Sequence, residues 1–306
     1  MVTDFTLPRL LHTAQQQLSD AGIEHADHEA LALFAAAAET EIPQVRQWMI
    51  LGTMPHSAGS PTPEQMKSRF AHFVERRVKH EPLQYIVGSL GFRFLDIAVG
   101  PGVFIPRPET ETVVQYGIDW LKAHRIDIPN PLVVDLCAGT GVVGLSIATE
   151  ISGSTVYAVE KDPDAFAWLQ KNADLQKLHH PSLAITPVLA DATDAQTLKD
   201  LNGTVDCILS NPPYIPESEP TTQPEVDFDP ELALYGGSED GMRMPRNIIS
   251  RAAELLRQGG LLVVEHDISQ GEAMTKALRD AGFTNAATHD DLTGRPRYTS
   301  GVRSDT

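Results

Sequence analysis

The sequence predicts an α/β protein in which an open, mainly parallel sheet is covered by helices and preceded by a small helical bundle and a β-hairpin. Three observations carry this expectation. From Pro131 onward, short apolar, β-branched runs alternate with amphipathic stretches, the pattern of parallel strands joined by helical crossovers. Residues 1 to 80 repeat apolar positions at helical spacing. Between the two, glycines separate brief extended runs that lead into one further helix. A chain of 306 residues exceeds one ordinary domain. The expected division is a helical bundle over 1–80, a hairpin and linker helix over 81–130, and the sheet domain over 131–306.

In order, Leu7, Leu10, Leu11, Ala14 and Leu18 form one helical stripe that Gly22 stops, and Leu31, Phe34, Ala35 and Ala38 form a second. Pro43 to Leu51 fits a shorter third helix. Thr62-Pro63-Glu64-Gln65 has the spacing of a capping box with proline at the first helical position, ahead of Met66, Phe70, Phe73 and Val74. Met54 to Pro63 reads as a loop. Leu83–Val87, Phe92–Ile97 and Val103–Ile105 are strand-like, so a hairpin is expected here. Thr110 then opens a helix through Val113, Val114 and Trp120. The parallel strands are expected at Leu132–Leu136, Thr155–Glu160, Thr186–Ala190, Val205–Leu209 and Leu261–Glu265. Asp162-Pro163 caps the helix after the second, and Pro245 starts one that Gly259-Gly260 should end. Ser269 and Glu272 have capping-box spacing for the last long helix, which stops at Gly282. Phe283–His289 and Arg297–Val302 fit a closing antiparallel pair.

Composition narrows the partners. The net charge is −17, with 15 acidic against 11 basic residues in 1–130 and 26 against 13 from residue 131 on. A protein that tracks phosphates carries a basic face, so nucleic acid is disfavoured as substrate. Pro216 to Asp240 holds eight acidic residues and no basic one. Such a run is either a solvated loop or a negative lip that attracts a basic partner. The apolar run containing Leu31–Ala38 is far short of a membrane span, and a cytoplasmic protein is expected. Cys137 and Cys207 are read as reduced, half-buried thiols near strand ends, and no histidine or cysteine spacing suggests a metal.

The chemistry-bearing residues fall at strand ends. After the first parallel strand comes Asp135-Leu136-Cys137-Ala138-Gly139-Thr140-Gly141, a glycine-rich turn that opens a helix and lets a ligand approach backbone closely. Glu160 ends the second strand, where a carboxylate can accept both hydroxyls of a ribose, and Asp191 follows the third, where it could accept from an adenine amino group. The fourth strand stops at Asn211-Pro212-Pro213-Tyr214, because consecutive prolines cannot continue a ladder. Alone, that tetrapeptide is equally a plain proline-rich loop. Pro106-Arg107-Pro108 makes a second stiff turn that fixes Arg107.

Taken together, these strand ends resemble the seven-stranded, Rossmann-like S-adenosylmethionine-dependent methyltransferases. The resemblance implies that Cys137 to Gly141 form the cofactor loop, Glu160 the ribose acid, Asp191 and Ala192 the adenine side, and Asn211 to Tyr214 the motif of the amino-methylating branch. With E-P-L-Q-Y-I-V-G, F-I-P-R-P-E-T-E, S-N-P-P-Y-I-P and G-G-L-L-V-V-E-H, nearly the whole chain is similar to the HemK/PrmC-like protein-glutamine methyltransferase family that modifies peptide chain release factors. That family methylates the glutamine of a Gly-Gly-Gln loop. Cys137 and Ala138 stand where many members have Gly-Thr, and Ala192 where some have an aromatic, which bears on adenine stacking. The resemblance further implies that Phe104 to Arg107 lie over cofactor and substrate.

The expected catalytic residues are Asn211, Pro212 and Tyr214, with Pro213 and Arg107 beside the substrate. An amide nitrogen is a poor nucleophile because its lone pair is delocalised. Acceptors at the Asn211 oxygen and the Pro212 carbonyl would hold its two N–H groups, and Tyr214 would pack on the planar amide. The same motif suits the exocyclic amine of adenine or guanine, or a ribosomal-protein glutamine. A binding protein that never turns over is the remaining alternative. A monomer without a metal is expected.

Overall fold

The computed structural model describes residues 6–52, 61–218 and 224–304; Met54 to Pro63, read as a loop, lies largely outside them. The chain divides into two units, Met1–Ser89 with Gln223–Phe228, and Leu90–Thr222 with Asp229–Thr306.

The first unit is helical. α1 (Leu7–Asp20), α2 (Ala26–Ala37), α3 (Ile42–Leu51) and α4 (Pro63–Val78) pack their stripes into one core that includes Leu11, Leu18, Leu33, Phe34, Trp48 and Phe70. Phe34 and Phe70 meet edge to face at 5.3 Å, an arrangement the ring quadrupoles favour. The expected capping box at α4 is present: Thr62 Oγ1 accepts from Gln65 N, and Gln65 Oε1 accepts from Thr62 N at 2.8 Å. Leu83–Val87, expected as a strand, is instead the short helix α5. Pro82 sets a turn whose carbonyl accepts from Tyr85 N and Ile86 N, and Gly88, in the left-handed region, ends it after one turn. A run of five residues is too short for apolar content to decide between strand and helix.

In the second unit, the hairpin pairs β1 (Ser89–Phe92) with β2 (Leu95–Ala98). Arg93, at φ +51°, makes its turn and donates to Glu150 at 2.6 and 2.9 Å. Val103–Ile105 forms no strand; the Ile105 N–H donates to Asp229 Oδ1. After α6 (Thr110–Ala123) come β3 (Leu132–Leu136), α7 (Val142–Glu150), β4 (Thr155–Glu160), α8 (Pro163–His179), β5 (Ile185–Leu189) and β6 (Val205–Ser210). The short α9 (Glu231–Leu234), α10 (Arg243–Leu255), β7 (Leu256–Glu265), α11 (Gly271–Asp280), β8 (Phe283–Asp290) and β9 (Pro296–Arg303) complete it.

The seven strands lie in the order β5-β4-β3-β6-β7-β9-β8, parallel except for β9, which runs antiparallel between β7 and β8. Successive strand residues serve opposite faces. Val133, Cys207, Leu209 and Val263 join the core under α6, α7 and α8, while Val134, Ile208, Leu262 and Val264 join the one under α10 and α11. Because both faces are covered, the strands read as unbroken apolar runs. The chain leaves β3 toward β4 and β5, then returns to β6 on the other side of β3. Between β3 and β6 lies the switch point, where an open sheet leaves a crevice at its carboxyl edge.

Two boundaries differ from expectation. Gly259-Gly260 does not end α10, which stops at Leu255; both glycines lie in β7, whose first residue pairs with Val205 before the register shifts at Cys207. The adjacent apolar residues Leu255 and Leu256 are both buried, and the extended backbone at Leu256 achieves this. Ser269 and Glu272 form no capping box. Asp267 accepts from Ser269 N, Gln270 Oε1 accepts from Asp267 N, and a 3-10 turn from Ile268 to Gln270 leads into α11. Both cysteines are free, but Cys207 sits mid-strand and fully buried, not half-buried at a strand end. No helix among the described residues is long and apolar enough to cross a membrane.

A buried cation organises the first unit. Arg77, 6% exposed, donates to Glu29 at 2.6 and 3.2 Å and to Glu225 at 3.1 Å, and Glu225 is held below its ordinary value despite its own partial burial. Arg77→Met strands both carboxylates. It should cost about 2 kcal/mol, less than a wholly buried pair because Glu225 stays partly exposed. A lowered urea midpoint, with Glu29→Gln milder than Arg77→Met, is the expected measurement.

Candidate active site

The first wall of the site is the turn after β3. Cys137 at φ +64°, Gly139 at +54° and Gly141 at +87° put three of five residues in the left-handed region, which brings the backbone round to start α7. A side chain on Gly139 would meet nothing within 4 Å, whereas one on Gly141 would meet Leu169 Cδ1 at 2.5 Å. Gly139 therefore opens on free space, and Gly141 is required by packing. Glu160, at the end of β4, holds the turn: its Oε2 accepts from Gly139 N at 2.8 Å, and its Oε1 from Lys161 N and Asp162 N at 2.7 and 2.8 Å. They fill three of the carboxylate's roughly four acceptor sites and leave one, on Oε2, for a further donor.

Asp135 lies beneath the turn. Its Oδ2 accepts from Gly144 N at 2.8 Å, and its Oδ1 has no partner among the described residues. Burial pushes this carboxyl up to about 7, against the Gly144 hydrogen bond and with help from the nearby Glu160 charge. Burial, then the charges of Glu160 and Asp135, likewise hold the Cys137 thiol well above its ordinary value.

The second wall is the turn after β6. Ser210 Oγ donates to Leu136 O at 2.7 Å, so β3 and β6 end side by side. Asn211 Nδ2 then donates to Thr110 Oγ1 at 3.3 Å, and Asn211 Oδ1 makes no hydrogen bond among the described residues. Tyr214 Oη donates to Glu265 Oε1 at 3.2 Å. Burial, reinforced by the Glu265 charge, raises the Tyr214 phenol well above its usual value. Burial also pushes Glu265 up to about 7, although Thr110, Tyr214 and Arg297 favour its charged form. The Tyr214 backbone is pinned as well. Tyr214 N and Ile215 N donate to Leu234 O, and Gln270 Nε2 bridges Tyr214 O and Asp240 O at 2.8 Å each.

Between these walls lies a cavity of about 310 Å³. Of the residues singled out in the sequence, Phe104, Cys137, Ala138, Gly139, Thr140, Glu160, Ala192, Asn211, Pro213 and Tyr214 line it. Four do not. Gly141 packs behind the turn, and Pro212 is buried within its own. The Asp191 carboxylate is bound to Lys161 Nζ and to the Thr193 backbone N–H and hydroxyl, and these bonds hold it down to about 2 against partial burial. Its neighbour Ala192, not Asp191, faces the space. Arg107 donates to the buried Asp229 at 2.7 Å and stacks over Phe104 at 5.0 Å, so it braces the stiff Pro-Arg-Pro turn instead of lining the cavity.

Part of the site carries no signal in the sequence. Thr110 and the wall from Leu232 to Gly237, with Arg243 and Asn247 of α10, line the cavity, and Glu265 lies under Tyr214. The acidic stretch is correspondingly not a uniform solvated lip. Glu225 is paired with Arg77, Asp229 is buried against Arg107, and residues 219–223 lie outside the described ones. Among the described residues no cluster could hold a metal ion.

One pH response follows from Asp135. Its folded pKa is raised, so between about 4 and about 7 the native state binds the proton that the unfolded state has lost. Wild type should therefore lose stability relative to Asp135→Asn as pH rises from 4.5 to 7. The amide keeps an acceptor for Gly144 N and has no charge to bury. Paired urea titrations across that window measure the difference, and parallel curves would rule out the buried-acid account.

Residues 9–88 match the PrmC N-terminal domain, and residues 83–226 match the family described as conserved hypothetical protein 95. The catalytic domain of hMettl16, solved in complex with a 3'UTR hairpin, shares the fold with a TM-score of 0.50 at 16% identity, over 68% of this chain and 74% of that one. A 4-amino-L-phenylalanine/4-methylamino-L-phenylalanine methyltransferase of Streptomyces pristinaespiralis is 36% identical, over 90% of this chain and 88% of its own. The release factor glutamine methyltransferase of Bifidobacterium longum is 48% identical over 94% of this chain and 97% of its own. With that identity sustained along nearly the full length of both chains, the protein belongs to the release factor glutamine methyltransferase family.

Proposed function

We propose that the protein transfers the methyl group of S-adenosyl-L-methionine to the side-chain amide nitrogen of the glutamine in the Gly-Gly-Gln motif of peptide chain release factors. The observation that carries the chemistry is Asn211, whose Nδ2 is taken by Thr110 while Oδ1 is left as an acceptor on the cavity wall. A planar NH₂ has two donors to place. Asn211 Oδ1 takes one, and that bond strengthens as the nitrogen becomes positive during transfer. Tyr214, held by Glu265 and Gln270, packs on the amide plane and excludes water.

The residues fit the co-substrate. Gly139 leaves open space where a side chain would intrude, Thr140 Oγ1 is buried without a partner among the described residues, and Glu160 Oε2 retains an acceptor site for a ribose hydroxyl. S-adenosyl-L-methionine supplies an electrophilic methyl group on a sulfonium, whose C–S electron pair returns to sulfur as the N–C bond forms. The chain's part is alignment of two substrates, and the surplus proton on nitrogen passes to water. Ala192 contributes only a small apolar surface on the adenine side.

Charge favours a protein acceptor over a nucleic acid, since a net −17 repels a phosphate backbone. A release-factor acceptor places the reaction in the cytoplasm. The acceptor test uses labelled S-adenosyl-L-methionine with a release factor, the same factor with its Gly-Gly-Gln glutamine replaced, RNA, DNA and 4-amino-L-phenylalanine, followed by mass spectrometry. Label is expected on that glutamine alone. Label on nucleic acid, on the free amino acid, or surviving the replacement overturns the assignment. Asn211→Ala should lower single-turnover methyl transfer about 100-fold while the cofactor dissociation constant changes little. Rate and affinity falling together would sink the acceptor role.

A further inference from the structure

One buried acid beside the site does more than the transfer just described requires of it, which is to hold Tyr214. Glu265 ends β7 at 1% exposure, accepts from Tyr214 Oη at 3.2 Å, and leaves Oε2 without a partner among the described residues. Thr110, the first residue of α6 and also 1% exposed, has its hydroxyl near the same carboxyl and favours its charged form, with no direct hydrogen bond between the two in the structure. That hydroxyl lies 3.3 Å from Asn211 Nδ2. Three elements distant in sequence thus bring a carboxyl, a hydroxyl and an amide together.

Such a chain has a direction. A carboxamide has an oxygen end and an NH₂ end of nearly the same shape, and only the oxygen end can hold a substrate N–H. A threonine hydroxyl has one hydrogen and two lone pairs, whereas an ionised carboxylate only accepts. If Thr110 gives its hydrogen to Glu265, its oxygen remains an acceptor. Asn211 must then turn Nδ2 toward Thr110 and Oδ1 toward the cavity. We propose that Thr110 and Glu265 are positioning residues that fix which end of the Asn211 amide meets the substrate nitrogen, Glu265 also holding Tyr214 through the same carboxyl. This rests on the reading of Asn211 as an acceptor for a planar NH₂.

The roles are separable from simple packing. Valine has the shape of threonine without the hydroxyl, and serine keeps the hydroxyl while losing a methyl group. Methyl transfer to a release factor is measured at pH 8, where Glu265 is ionised, for wild type, Thr110→Val, Thr110→Ser and Glu265→Gln, alongside cofactor affinity and thermal midpoints. Thr110→Val should lower kcat about 30-fold, with the release-factor KM and cofactor affinity within about threefold of wild type. Thr110→Ser should recover at least about a third of wild-type kcat, because the directing hydrogen is restored. Glu265→Gln should also lower kcat, since its NH₂ can donate to Thr110 and reverse the chain. The proposal fails if Thr110→Val keeps kcat within threefold, if Thr110→Ser is as slow as Thr110→Val, or if kcat and cofactor affinity fall in parallel. A wild type inactive on the glutamine overturns the assigned acceptor and the positioning roles with it. An active wild type matched by Thr110→Val overturns the positioning roles alone.

Discussion

The hydrogen bond from Ser210 Oγ to Leu136 O fixes the level at which the two central strands end. Both chemical turns are set out from that point. One residue beyond Leu136 the chain enters the left-handed conformation of Cys137, and one residue beyond Ser210 it reaches Asn211. Since β3 and β6 are neighbours at the switch point, two turns 74 residues apart face one space. Glu160 then holds the first turn from β4, and Gln270 holds the second from beyond β7. The cavity is a product of strand register, and its two turns are held by side chains from neighbouring elements.

Much of this was legible because it rests on local chemistry. Strands buried on both faces must be apolar throughout, proline pairs end them, and glycine permits the backbone that follows. Glu160 and Asn211 could be picked out because each is a polar residue at an apolar strand's end. What was hidden depends on pairing across the fold. Nothing near Arg107 in the sequence announces Asp229, 122 residues away, so a fixed cation looked like a substrate contact when its partner was already internal. Asp191 follows a strand end as an available acid would, but Lys161 and Thr193 occupy it. Thr110 and Glu265 belong to motifs recognised as wording, yet no spacing rule links the start of one helix to the end of a strand 155 residues later. The α5 helix and the start of β7 were missed for a different reason: short apolar runs beside glycine fit either conformation until burial chooses.

The acidic segment shows how a charge count can mislead about a surface. Its excess of carboxylates suggested an exposed lip, but Glu225 and Asp229 each neutralise a specific arginine, and the stretch around Leu234 is hydrogen-bonded to the Tyr214 turn. A wall built this way can change its exposed side chains while its backbone contacts persist. Relatives with about a third to a half of their residues in common with this chain have names referring to a protein glutamine and to a free aromatic amino acid. Both offer nitrogen conjugated to a planar group, which is the part that the Asn-Pro-Pro-Tyr turn would grip.

Cys137 gives the cavity a property of a different kind. Sulfur is the strongest nucleophile among the side chains lining this space, and it stands where an alkylating reagent is proposed to bind. A thiolate there would compete with the amide for the methyl group and inactivate the protein by S-methylation. Burial and the neighbouring carboxylates Glu160 and Asp135 keep the sulfur protonated. Only the thiolate reacts readily, so burial, together with the negative charge that organises the glycine turn, disfavours attack of this sulfur on the proposed methyl donor.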